Sequence, residues 1–292
     1  IPLIKELGLS KKVYNVDELL KKCHDNHINV IGRIVVFRDD GLSRKKPEYA
    51  IKKPGGSLWT EGQHGAWTNP YLQGVQDYNI NIAKEAVKLG FDEIQFDYVR
   101  FPTAKAGAVD YGGNAPDKGE TISTFLKRAA EEIKKIKDVP VSADIFGIVI
   151  ESDYDGKAIG QKFDMLGQHI DTISPMIYPS HYANASPKGL FGNGAGQRIN
   201  GVLFTAPDLK PYDVVYQALL KTKTRIGEVP DFKASVRPYL QDFTIKLPEG
   251  YGQTYGVRQV KDQIKAVYDA GYEEWILWNG KNQYTEDALL SE

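Results

Sequence analysis

The sequence is poor in cysteine and carries almost no net charge. Cys23 is the single cysteine among 292 residues, which excludes an internal disulfide and a cysteine-rich metal site. The net charge of −1 at pH 7 argues against a partner that is bound mainly by charge, such as a nucleic acid. We therefore expect no nucleic-acid partner.

Long apolar runs and the common cofactor motifs are also missing. No window approaches the roughly 18 apolar residues of a membrane span, and no signal-peptide pattern is present. Because the chain starts at Ile1 rather than Met, we expect a mature chain or part of a longer one. Strand ends lack a Gly-x-Gly-x-x-Gly turn, and the sequence has no Walker loop, Gly-x-Ser-x-Gly elbow or His-Glu-x-x-His zinc motif. We expect no cofactor and no metal.

What the sequence does contain is a regular alternation of helix and strand patterns. Such alternation predicts an α/β fold with a parallel sheet and helical crossovers. The predicted strands are 29–37, 93–99, 140–146, 171–178, 234–243 and 274–278. The predicted helices are 16–26, 75–89, 121–137, 212–226 and 255–270. Pro238 within the fifth strand is unusual for a central strand.

Long segments follow the strands and short ones follow the helices, which is typical of a (β/α)₈ TIM barrel with its active site at the strands' C-terminal ends. A doubly wound open sheet is the rival fold. Six strands are two fewer than a closed barrel requires, so we expect a barrel that lacks its first two strands in this chain. No linker or repeat divides the sequence, and we expect residues 1–292 to form a single, N-terminally truncated domain.

The stretch GFDEIQFDYVRFP, residues 90–102, places an acid at the end of a strand. Gln95 and Asp97 share one face of that strand, and Asp144 occupies a similar height on the next strand. Two neighbouring carboxylates suit glycoside hydrolysis, with a separation of about 5–5.5 Å for retention and about 6.5–9.5 Å for inversion. We expect Asp97 to act as nucleophile and Asp144 as general acid. The structural alternative pairs Asp97 with an arginine and makes Asp144 a loop cap.

Other polar and aromatic residues near the strand ends are candidates for binding substrate: Arg33, Asp39, Gln95, Tyr178, His181, Gln241 and Trp278. Each has a structural alternative. Arg33 can balance buried charge, Asp39 can form the turn at Gly41, and His181 can be an ordinary solvated loop residue. Trp67 and Trp278 suit stacking on a sugar ring as well as they suit a core.

These segments resemble the DUF4015 family of bacterial glycoside hydrolases. The resemblance rests on residues 90–102 and on six further stretches: GRIVVFRD (32–39), WTNP (67–70), AKEA (83–86), VSADIFG (141–147), SPMIYPSHY (174–182) and RPYLQD (237–242). It implies a TIM barrel distantly similar to the α-amylase and α-galactosidase glycosidases, in which the nucleophile ends the fourth strand. It also implies two strands before residue 1, a carbohydrate substrate and an extracellular or cell-envelope location.

Two other functions fit the same strand ends. A non-catalytic carbohydrate-binding barrel would keep the pocket and lack the chemistry. A metal-assisted hydrolase would bind its ion through Asp97 and Asp39. The sequence favours a glycoside hydrolase that cleaves a polysaccharide or cell-envelope glycan.

Overall fold

The computed structural model describes residues 1–113 and 115–289. The helices are α1 (Pro2–Glu6), α2 (Val16–Asp25), α3 (Asp40–Lys45), α4 (Gln73–Leu89), α5 (Lys118–Lys134), α6 (Ile148–Glu151), α7 (Asp153–Ile159), α8 (Phe163–Leu166), α9 (Pro211–Glu228) and α10 (Val257–Asp269). The strands are β1 (Ile31–Val35), β2 (Glu93–Asp97), β3 (Val141–Phe146), β4 (Thr172–Met176), β5 (Gln197–Ile199), β6 (Val202–Phe204), β7 (Ser235–Val236), β8 (Tyr239–Gln241) and β9 (Ile276–Trp278).

The chain divides into two compact units. The first holds Ile1–Asp144 and Tyr154–Thr172, and the second holds Ile145–Asp153 and the chain from Ile173 onward. In the first unit, β1, β2 and β3 are parallel neighbours in that order. In the second, β4, β8 and β9 follow one another in parallel, β7 pairs with β4, and β5 and β6 form a separate antiparallel hairpin.

The core of the first unit lies between the sheet and the helices α4 and α5. Phe125 of α5 packs edge-to-face against Phe37 and Phe96, with ring centroids 5.4 Å apart in both pairs, and all three side chains are fully buried. Helix α4 ends at Gly90, whose φ of 107° is left-handed and favours glycine. This cap turns the chain directly into β2, the strand that ends in Asp97.

The second unit is built on the packing of α9 against α10. Their facing sides bury Val214, Val215, Leu219, Val260 and Val267. The amide of Gln263, on α10, is fully buried and bonds both backbone groups of Gln241: Gln241 N–H donates to its Oε1 at 2.9 Å, and its Nε2 donates to Gln241 O at 2.8 Å. This pair fixes α10 to the end of β8.

The predicted α/β barrel class, with parallel strands and helical crossovers, is confirmed. The predicted strand 234–243 is interrupted, because Pro238 has no N–H to donate to a neighbouring strand, and β7 and β8 lie on either side of it. The predicted helices and strands do not include α1, α3 or the β5–β6 hairpin, and the structure corrects the prediction at these three places. No helix within the described ranges is long and apolar enough to cross a membrane.

Candidate active site

The strand register in the first unit brings four of the predicted site residues onto one face of the sheet: Arg33, Gln95, Asp97 and Asp144. Arg33 pairs with Gln95, and Gln95 pairs with Ser142. Side chains of paired residues point to the same face, and every second residue along a strand shares that face. Asp97 and Asp144 therefore extend this face by two residues on β2 and β3. Asp97 is the last residue of β2, and Asp144 lies in the C-terminal half of β3, two residues before its end.

Arg33 joins the two acids. Its Nη2 donates a hydrogen bond to Asp97 Oδ2, and its Nε lies 3.7 Å from Asp144 Oδ2. The side chain of Arg33 is 33% exposed, whereas those of Asp97 and Asp144 are 7% and 2% exposed. Two buried carboxylates thus share one guanidinium that reaches them from a more solvated position. This geometry supports the prediction that the two acids are neighbours.

The backbone after β2 supplies a second donor to Asp97. Tyr98 N–H donates to Asp97 Oδ1 at 2.6 Å. Tyr98 has a φ of 49°, a left-handed conformation that is costly for a side chain of its size. Both carboxylate oxygens of Asp97 therefore accept a hydrogen bond, and one donor depends on a strained residue.

Aromatic and cationic side chains hold Tyr98 in this conformation. Arg38 Nη1 donates to the Tyr98 hydroxyl at 2.5 Å. The guanidinium of Arg100 lies 4.8 Å from the Trp67 ring centroid and 5.3 Å from that of Tyr98. Trp67 is fully buried, and its Nε1 donates to Glu61 Oε2 at 3.1 Å. Trp67 is therefore a core residue that supports Tyr98, and the alternative of a sugar-stacking surface does not fit its burial.

Glu93 is a buried acid that the sequence reasoning missed. It lies on the same face of β2 as Gln95 and Asp97, and Ser142 Oγ donates to its Oε1. The alternation that placed Gln95 and Asp97 on one face also predicts Glu93 there, so the signal was present in the sequence. Glu93 lies at the N-terminal end of β2, farther from the strand end than Asp97.

Asp39 caps a helix, and Gln95 is buried within the sheet. Asp39 is the N-cap of α3, with its Oδ1 accepting from Leu42 N–H at 2.8 Å, and burial raises its pKa above the ordinary value. This is the turn role that was the alternative for Asp39. Gln95 is 2% exposed and lies one step below Asp97 on β2.

Four predicted binding residues lie in the second unit. Gln241 is fully buried: its Oε1 accepts from Ser180 N–H at 3.0 Å, and its Nε2 donates to Phe243 O at 2.9 Å. These bonds fix the segment after β4, which carries Tyr178 and His181. Tyr178 is 7% exposed, and its ring lies 5.3 Å from that of His181. Trp278, on β9, is half-buried with its ring edge-on to a tyrosine.

The comparisons with known proteins identify the family. The family model of DUF4015, described as a "putative glycosyl hydrolase domain", matches residues 1–284. The chain belongs to the DUF4015 family. The resemblance drawn from the sequence motifs is therefore confirmed, and the predicted enzyme class, glycoside hydrolase, is that of the family. No curated protein matches the sequence.

Three solved structures similar to this DUF4015 chain carry the names of glycan-acting proteins. The PgaB (BpsB) glycoside hydrolase domain from Bordetella bronchiseptica has a TM-score of 0.57 and 12% identity, over 90% of this chain and 72% of that one. A chitinase from Chromobacterium violaceum has a TM-score of 0.55 and 12% identity, over 97% and 87%. The spore cortex-lytic enzyme SleL from Bacillus cereus has a TM-score of 0.54 and 11% identity, over 96% of this chain and 62% of that one. At these identities the similarity shows a common fold.

Proposed function

We propose that this DUF4015 chain hydrolyses O-glycosidic bonds of a polysaccharide or cell-envelope glycan, with Asp97 as nucleophile and Asp144 as general acid. The observation that carries the proposal is the pair of buried carboxylates around Arg33, at the C-terminal ends of adjacent parallel strands. Active sites of (β/α) barrels lie at this end of the sheet, and two flanking carboxylates are the usual catalytic groups of glycosidases.

The surroundings of the two acids support different roles. Asp97 accepts hydrogen bonds from Arg33 Nη2 and from Tyr98 N–H, and these two donors fix the direction of its carboxylate at the end of β2. Asp144 Oδ2 lies 3.7 Å from Arg33 Nε, and its side chain is 2% exposed. An ionised Asp97 can attack the anomeric carbon while a protonated Asp144 donates to the leaving-group oxygen.

The remaining residues have supporting roles in this proposal. Arg33 balances the charge of the acids and orients Asp97. Asp39 caps α3 in the first unit, and Gln241 fixes the segment after β4 in the second unit. Tyr178, His181 and Trp278 are the residues of the second unit that we expect to bind sugar, and Gln95 is buried beside Asp97 on β2. The substrate class implies a location outside the cell or in the cell envelope. The chitinase and the spore cortex-lytic enzyme share the fold, which is compatible with a polymeric glycan as substrate.

The test distinguishes the roles of the two acids by comparing substrates that differ in their leaving group. A panel of polysaccharides and aryl glycosides first identifies a substrate of the native chain. Asp97→Asn is expected to lose activity on every substrate. Asp144→Asn is expected to lose activity on substrates with poor leaving groups and to retain much of it on aryl glycosides whose leaving group needs no protonation.

A matched control is Asp92→Asn, which changes an acid that precedes β2 and bonds Val30 N–H at 2.8 Å. This variant should keep its activity once folding is verified. Full activity of Asp97→Asn refutes the assigned nucleophile. Binding of a glycan without any hydrolysis by the native chain would favour the non-catalytic barrel.

A further inference from the structure

The segment between β4 and β5 in the second unit displays an aromatic ring on a strained backbone. Phe191 has a φ of 56° and is 37% exposed. A left-handed conformation is costly for a phenylalanine, and more than a third of the surface of Phe191 remains open to solvent. The chain therefore maintains an unfavourable conformation at a residue that is only partly buried.

Buried polar side chains hold this conformation in place. Asn184 is 1% exposed, its N–H donates to Phe191 O at 2.9 Å, and its Nδ2 donates to Leu190 O at 3.1 Å. Ser186 is 4% exposed, and its hydroxyl donates to Lys188 O at 2.7 Å. These bonds fix the backbone on both sides of the ring, so Phe191 is presented by an ordered loop.

Phe191 extends a cluster of rings that starts at the end of β4. Its ring centroid lies 5.4 Å from that of His181, with a tilt of 38°. His181 also lies 5.3 Å from Tyr178 and 5.7 Å from Phe243. His181 and Phe191 are exposed, whereas Tyr178 is 7% exposed. The cluster thus has a buried base and two rings at its surface.

His181 gives this surface a neutral polar group. Although His181 is an exposed residue, three neighbouring rings lie against its imidazole, and desolvation lowers its pKa to about 4, so the ring is uncharged near neutral pH. The Ser180 hydroxyl lies 3.1 Å from its Nδ1. Its Nε2 makes no hydrogen bond within residues 1–113 and 115–289 and remains available to a hydroxyl or amide of a ligand.

We propose that Phe191 and His181 form a glycan-binding platform that takes the apolar face of a pyranose ring. The platform deepens the proposed function, on which its choice of ligand rests. Aromatic rings beside a neutral hydrogen-bonding group suit a sugar, which presents an apolar face bordered by hydroxyls. Two exposed rings are far too small an area for a stable protein interface, which buries about 800 Å² on each partner.

The test measures binding of chitohexaose and cellohexaose to the full chain by isothermal titration calorimetry. Asp97→Asn is the parent protein, so that hydrolysis does not consume the probe. Phe191→Ala in this parent should weaken binding of the preferred oligosaccharide by about three- to tenfold, the range expected for loss of one aromatic contact. Phe191→Trp should bind as the parent does. Leu190→Ala is the matched control, because Leu190 is 47% exposed and adjacent, and this variant should also bind as the parent does.

A fourth variant separates binding from folding. Phe191→Gly removes the ring and relieves the left-handed strain, so it should raise the melting temperature and still weaken binding. Unchanged affinity in Phe191→Ala, equal weakening in Leu190→Ala, or no binding of either oligosaccharide by the parent overturns the platform. Hydrolysis by the otherwise native chain is measured separately. Failure of the proposed catalytic function is seen there, and failure of the platform is seen in the binding data.

Discussion

Replacing Arg33 by methionine should destabilise the protein. Arg33 is the cation that Asp97 and Asp144 share, and the side chains of these acids are 7% and 2% exposed. Methionine keeps most of the aliphatic volume and removes the charge. The variant therefore leaves two neighbouring carboxylates in a poorly solvated place without this counter-ion.

The magnitude follows from the burial of the partners. Removing one member of a buried ion pair costs about 3–5 kcal/mol, because the remaining charge stays buried. Arg33 itself is 33% exposed, so water screens part of its interaction and the loss should lie near the lower end, about 3 kcal/mol at pH 7.

Urea unfolding at pH 7, followed by circular dichroism, measures the effect. Arg44→Met is the matched control, because Arg44 forms an exposed ion pair with Asp40 one helical turn away, and this variant should behave as the native chain. Asp97→Asn added to Arg33→Met should restore part of the lost stability. A loss below about 1 kcal/mol, or no recovery in the double variant, would contradict the shared-cation interpretation.

Three further variants test the structure around the site. Phe125→Ala removes a fully buried ring from the core of the first unit and should cost about 3–5 kcal/mol in urea unfolding. Gly147→Ala should lower stability by about 1–3 kcal/mol, because its Cβ would lie 2.7 Å from the carbonyl oxygen of Met176; a neutral result would show that this approach is looser than described. Burial in the folded protein raises the pKa of Asp208 above its ordinary value of 3.8. The protonated carboxyl therefore stabilises the folded state at low pH. This contribution is fully present below about pH 3.8 and is lost as the pH rises through the folded-state pKa. Asp208→Asn should therefore lose less stability than the native chain between about pH 4 and pH 7, and parallel pH profiles would contradict this.

Much of the fold could be predicted because apolar and polar residues alternate along its strands. In β2, the apolar Ile94 and Phe96 share one face and the polar Gln95 and Asp97 share the other, although all four are buried. The β5–β6 hairpin was missed because Leu203, near its centre, is 48% exposed and the surrounding segment resembles a loop in composition. Hydrophobic periodicity marks strands that pack against a core, and it does not mark a hairpin at the surface.

The part of the site that depends on which way side chains point along a strand was predictable from the sequence. The alternation on neighbouring parallel strands was enough to place Asp97 beside Asp144, with Arg33 near both. The backbone N–H that binds Asp97 was not predictable, since it depends on the left-handed conformation of Tyr98. That conformation is imposed by tertiary contacts with two arginines, which local sequence does not encode. The exposed ring of Phe191 was also missed because tertiary contacts set its backbone. The buried Asn184 donates hydrogen bonds to the carbonyl oxygens of Phe191 and Leu190.

The most direct test of the central claim is the kcat/KM of Asp97→Asn on the best substrate of the native chain. The variant keeps the size of the side chain, and circular dichroism and a melting curve verify its fold. A catalytic nucleophile predicts a loss of at least about 1,000-fold, with the fold intact. A folded variant with native kcat/KM would contradict the account and return Asp97 to a structural ion pair with Arg33.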